Sequence, residues 1–242
     1  MVSLENYITE KLLGSFSIGS IIGKNKPKSK QQLRKLIEQE LELQGPDADL
    51  NHIDVSKITD MEKLFYKLDI RNIKIDQWDV SNVKTMRNMF WNCSNFNADL
   101  SKWDVTNVTN MLGAFGYCSN FNADLSKWDV RNVVNMERMF FYCINFTSDL
   151  SMWRVSNVKF MTSMFEGCKK FESDLSKWSV NRVVSMERMF YGCEKFKPGL
   201  FGWQRFGLSD YDRHKYNRFD NLDDDDDDDD DDDISEYDSL FR

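Results

Sequence analysis

Six tryptophans recur every 25 residues along this chain, at Trp78, Trp103, Trp128, Trp153, Trp178 and Trp203. A fixed period of that length means that one small unit is copied and stacked, which excludes most folds at once. The cysteines Cys93, Cys118, Cys143, Cys168 and Cys193 keep the same step and account for all five in the protein. Met86, Met111, Met136, Met161 and Met186 do so as well. Phenylalanine supplies two further columns, one running from Phe90 to Phe190 and one from Phe96 to Phe196, and valine supplies another from Val83 to Val183. One unit of this size cannot bury its own apolar face, so its neighbours must cover it.

Within the unit LSKWDVTNVTNMLGAFGYCSNF, which starts at Leu100, two spacings appear. Leu100, Trp103 and Val105 lie in a short apolar segment that reads as a strand. Val108, Met111, Phe115 and Cys118 fall at i, i+3, i+7 and i+10, one face of a helix that Thr106 or Asn107 would cap. These spacings predict an α/β, leucine-rich-repeat-like solenoid of 25-residue strand–helix repeats with an N-terminal helical cap.

The predicted organisation has four parts. Residues 1–25 are a lead segment, and 26–49 a helical cap in which Leu33, Leu36, Ile37 and Leu41 are helically spaced before Gly45-Pro46. Residues 50–208 are the repeat body, clearest over 75–199, and 209–242 an acidic disordered tail. That tail holds Asp223–Asp233, eleven consecutive aspartates, and without them the net charge of −8 becomes +3. Such a run has nothing to bury, and like-charge blocks act as interaction tails. No stretch is apolar enough to span a bilayer. The apolar run near the N-terminus is interrupted by Ser and Gly and preceded by Glu5 and Glu10, unlike a signal peptide.

The string DLSKWDVTNVTNMLGAFGYCSNFNADLSKWDV resembles the BspA-like leucine-rich-repeat family in its mycoplasma-type 25-residue form. The resemblance covers about residues 26–204. It implies a repeat scaffold of the kind displayed on bacterial surfaces and found in large DNA viruses and protists, associated with adhesion and protein binding, with no catalytic residues. Within the repeats, Arg154 and Ser179 stand where Asp79, Asp104 and Asp129 stand earlier, and Arg182 replaces the asparagine of Asn107.

No constellation of chemistry-bearing residues emerges. The cysteines are a whole repeat apart and only His52 and His214 are present, so neither a metal site nor a disulfide framework is expected. If the cysteines lay on packed helices, about 8–10 Å would separate them, beyond disulfide reach. The Trp and Cys columns therefore read as structural ladders. Asp99, Asp124, Asp149 and Asp174 recur with the repeat and read as turn caps. The column before each Trp (Gln77, Lys102, Lys127, Met152 and Lys177) reads as the solvent side of the strands and the candidate interaction surface.

The sequence thus predicts a non-enzymatic scaffold for protein–protein interaction, inside a cell or virion, without cofactor or metal. A cell-surface adhesin is the alternative, and an enzyme has the least support. The expected partner is another protein, and the Asp run suits a basic partner; the basic residues are too dispersed to predict nucleic-acid binding.

Overall fold

A computed structural model describes residues 25–197. Residues 1–24 of the lead segment, Trp203, the Asp run and the rest of the predicted tail lie outside the described residues. Helix α1, Lys30–Gln44, opens this region. The Ser29 side chain accepts from the Gln32 N–H at its start, and Gly45 (φ 78°) closes it by donating to the Leu41 carbonyl at 2.9 Å. The helix buries Leu33 and Ile37.

From residue 50 onward the chain advances in 25-residue coils, but the predicted strand–helix repeat does not form. Among the described residues α1 is the one helix, and β-structure is confined to isolated parallel bridges. The bridges Asp60↔Thr85↔Asn110↔Asn135↔Phe160↔Ser185 recur once per coil. The α/β, leucine-rich-repeat-like assignment is corrected accordingly: the coils are built from consecutive tight turns.

The backbone shows why. Over residues 111–118, Gly113 and Tyr117 have φ of 59° and 58°, and a left-handed residue at every fourth position breaks any α-helix. The N–H groups of Ala114, Gly116 and Cys118 each close a turn on the carbonyl three residues back, at 3.0–3.1 Å. Those of Met111, Gly113, Phe115 and Tyr117 point the other way and donate to Asn135, Glu137, Met139 and Phe141 of the next coil. Gly113 and Tyr117 are third residues of turns, the place where a type II turn requires positive φ. The helix-like spacing of Val108, Met111, Phe115 and Cys118 is explained by these turns. A turn brings residues i and i+3 together, so its corner residues share the inward side as they would on a helix. Asn107, read from sequence as a helix cap, instead donates from Nδ2 to the Ser81 carbonyl of the preceding coil at 2.8 Å.

Packing follows from the ladder. Hydrogen bonding between coils fixes a rise of roughly 5 Å, and flat side chains at equivalent positions then stack on their copies. The rings of Phe90, Phe115, Phe140 and Phe165 lie 5.5–5.6 Å apart with interplanar angles of 5–8°. The column from Phe96 to Phe171 repeats this at 5.7–6.0 Å. Both columns are buried, and each buried phenylalanine contributes about 1.5–3 kcal/mol of transfer free energy.

The polar atoms of the repeated columns are satisfied by the same geometry. The Leu100 carbonyl accepts the Trp103 N–H of its own turn at 3.1 Å and the Trp128 Nε1–H of the next coil at 3.0 Å. The Phe90 carbonyl likewise accepts the Cys93 N–H at 3.0 Å and the Cys118 Sγ–H at 2.9 Å. One carbonyl uses both lone pairs, one within its coil and one between coils, so a donor-bearing side chain belongs at the end of that turn. At the first coil, α1 supplies the missing partner: Arg34 Nη1 donates to the Leu64 carbonyl at 2.8 Å. That carbonyl occupies the ladder position that Ala114 and Met139 fill in later coils.

Candidate functional site

The residues singled out from sequence divide cleanly between inside and outside. Trp78, Trp103, Trp128, Trp153 and Trp178 are buried, and their rings offer no open face to a ligand. Cys93, Cys118, Cys143 and Cys168 are buried free thiols and Cys193 is part-buried. The coils are separated by one backbone hydrogen bond and not by packed helices, so the helix spacing of about 8–10 Å expected for the cysteines does not hold. Each Sγ–H is instead committed to a phenylalanine carbonyl of the preceding coil, as in Cys143 to Phe115 at 3.0 Å. Burial pushes the Cys93 thiol up to about 12, and those of Cys118, Cys143 and Cys168 well above the ordinary range. No group of three or more His, Cys, Asp or Glu side chains that could hold a metal occurs among the described residues.

Asp99, Asp124, Asp149 and Asp174 each accept the backbone N–H two residues on, at 2.9 Å. Asp54, Asp79, Asp104 and Asp129 do the same at 3.0–3.2 Å. For Asp54, Asp124 and Asp149, hydrogen bonds from the serine two residues on are the main cause holding the carboxyl below its usual range; Asp54 reaches about 2.

Gln77, Lys102, Lys127, Met152 and Lys177 are all exposed and share one edge of the stack, on turns rather than strands. Lys102 Nζ pairs across the coil boundary with Asp76 at 3.2 Å.

A second surface feature escaped the repeat-based reading. Trp91, Tyr117, Phe141 and Tyr142 converge into one aromatic patch over the middle coils. The Trp91 indole crosses Gly116 and lies parallel to Phe141, with centroids 6.2 Å apart and planes at 7°. Tyr117 stands edge-on to both rings at 5.2 Å and stacks on Tyr142 at 5.5 Å. Gly116 makes this possible: a Cβ there would sit 2.3 Å from Trp91 Cε3 and Cζ3. Tyr142 lies over Gly167 in the same manner.

Charge borders the patch. Arg138 lies 5.8 Å from the Phe141 ring centre. Beside Tyr142, Glu166 is 3% exposed and is held by Arg188 through Nε to both carboxylate oxygens at 3.1 Å. Burial raises the Tyr117 and Tyr142 phenols above their ordinary range, with Glu166 adding to the effect at Tyr142.

Tyr117 and Tyr142 are also strained. Their φ values are 58° and 53°, and the equivalent positions of other coils hold Lys67, Asn92, Gly167 and Gly192, all at positive φ. A bulky residue in the left-handed region is an outlier costing on the order of 1–2 kcal/mol. Both remain 41% and 39% exposed, so part of each ring faces solvent. The sequence carried one signal of the patch: of the seven tryptophans, Trp91 alone stands outside the 25-residue column.

The fold and its surfaces define a repeat protein of stacked, turn-built coils. Residues 32–140 and 112–218 match the family model described as "Mycoplasma protein of unknown function, DUF285". The two matches together span more than half of the chain, which belongs to this family. No curated protein and no solved structure matches the chain. No helix among the described residues is long and apolar enough to cross a membrane.

Proposed function

We propose that the chain is a non-enzymatic binding scaffold that engages a protein partner through Trp91, Tyr117, Phe141 and Tyr142. The observation that carries this reading is the exposed ring cluster itself: Tyr117 and Tyr142, 41% and 39% exposed, are packed on one another and against Trp91 and Phe141. Trp, Tyr and Arg are the residues that dominate protein interfaces, and rigid rings lose little entropy on binding. The resemblance of the repeat string to BspA-like proteins supports a binding role in the same direction.

The lysine edge is the competing face, and one experiment separates the two. Wild-type protein, Tyr117→Asn/Tyr142→Asn and Lys102→Glu/Lys127→Glu/Lys177→Glu are immobilised and exposed to lysate of the source cell. Both variants replace exposed side chains, and Asn suits the left-handed backbone, so both are expected to fold, which thermal melting checks before binding is compared. A protein retained by the wild type and by the lysine variant but lost from the tyrosine variant supports the aromatic site. Retention by the tyrosine variant with loss from the lysine variant moves recognition to the other edge and ends the proposal.

A further inference from the structure

The surface charge of the stack is polarised along its length. Residues 50–149 carry eleven Lys and Arg against twelve Asp and Glu, whereas residues 150–197 carry nine against five. The change is sharp in one column, where Asp79, Asp104 and Asp129 give way to Arg154 and Ser179. Next to it, the asparagine that bonds back to the previous coil in Asn107 and Asn157 becomes Arg182, whose Nη1 donates to Asn157 Oδ1 at 2.9 Å. Lys159 lies one column further on, and the Val184 N–H donates to its carbonyl at 2.7 Å.

Arg154, Lys159 and Arg182 are therefore neighbours on two successive coils, all exposed. Among the described residues Arg154 and Lys159 enter no salt bridge. Asp129, the acid beside Arg154, is already held by Arg131. The most exposed large apolar side chains of the described surface belong to the same edge: Met152 is 72% exposed and Val184 71%. A patch that is both basic and apolar calls for an acidic and apolar occupant.

The chain contains one. Asp223–Asp233 supplies eleven contiguous negative charges, followed by Ile234, Tyr237, Leu240 and Phe241. Residues 198–222 provide the connection, up to about 80 Å when extended at roughly 3.3 Å per residue. The patch begins in the last described coil, so reach imposes no limit. We infer that residues 223–241 dock in cis on the edge formed by Met152, Arg154, Lys159, Arg182 and Val184. This surface is distinct from the aromatic patch, and the inference stands or falls independently of the partner proposed there.

The test uses the full chain with Ser235→Cys carrying a nitroxide in a Cys193→Ser background, because Cys93, Cys118, Cys143 and Cys168 are buried whereas Cys193 is only part-buried. At about 0.1 M salt, amide signals of residues 152–159 and 180–184 broaden most, and the effect declines coil by coil towards residues 52–59, about 20 Å away at the rise of roughly 5 Å per coil. At about 1 M salt, where the screening length falls to about 3 Å, the broadening disappears. Arg154→Glu/Lys159→Glu/Arg182→Glu abolishes it at the lower salt as well, and the salt titration of the unsubstituted surface provides the same answer if that variant folds poorly. Uniform broadening, none at low salt, or an effect indifferent to salt overturns the inference. So does broadening of equal size when tagged, isotope-free chains are mixed with untagged labelled ones, because the tail would then belong to a second copy.

Discussion

Replacing Gly116 with alanine tests the aromatic patch at its tightest point. The new Cβ would lie 2.3 Å from two atoms of the Trp91 ring, so the indole must move by more than an ångström to regain ordinary contact. Overpacking of this kind costs about 1–3 kcal/mol. Gly116 does not have a positive φ, so with Trp91 removed the same substitution gains about 0.4–1 kcal/mol by restricting the unfolded chain. A double-mutant cycle of wild type, Gly116→Ala, Trp91→Ala and the double variant should therefore give a coupling of about 1.4–4 kcal/mol, read by urea unfolding of all four proteins. The sign matters as much as the size: Gly116→Ala destabilises with Trp91 present and stabilises without it. An equal effect in both backgrounds, within about 0.5 kcal/mol, would mean that the indole does not cross Gly116.

Other consequences follow from the ladders. Phe140→Ala removes a fully buried ring stacked on both neighbours and should cost about 3–5 kcal/mol in chemical denaturation, while the exposed Met152→Ala should change stability by less than about 0.5 kcal/mol. Because burial raises the Cys143 pKa in the folded state, its contribution is complete below the unfolded value near 9.0 and is lost as pH rises above it. The wild type should lose about 1.4 kcal/mol more per pH unit than Cys143→Ala above that point, and parallel pH–stability curves would contradict the burial of this thiol. Asp54 has the opposite sign. Its pKa is lowered from 3.8 to about 2, so its contribution is present above pH 3.8 and lost as pH falls towards 2. Asp54→Asn should flatten the acid limb of the stability profile.

The sequence made the period, the inward columns and the first helix readable, because each depends on which residues avoid water. Leu33, Ile37 and Leu41 read as a helix, and α1 contains no positive φ to break it. The secondary structure of the coils was not readable in the same way. Met111, Phe115 and Cys118 have helical spacing whether a helix or a run of turns carries them, and inward residues three apart satisfy both. What decides is backbone conformation at Gly113 and Tyr117, and tyrosine at a left-handed position carries no local sequence signature. The aromatic patch was hidden for a related reason. Its members are the residues that depart from the repeat, whereas the search for period rewards those that keep it. Trp91 meets Phe141 two coils away only because Gly116 leaves room between them.

The backbone at Tyr117 and Tyr142 joins the fold to the proposed site, and solution NMR measures it directly. Scalar couplings and Cα chemical shifts of these two residues should report positive φ, with the Tyr117 and Tyr142 N–H groups protected from exchange by the Phe141 and Glu166 carbonyls. Negative φ at both, with protection running continuously from 111 to 118 as in an α-helix, would contradict the turn-built coil and the functional reading that rests on it.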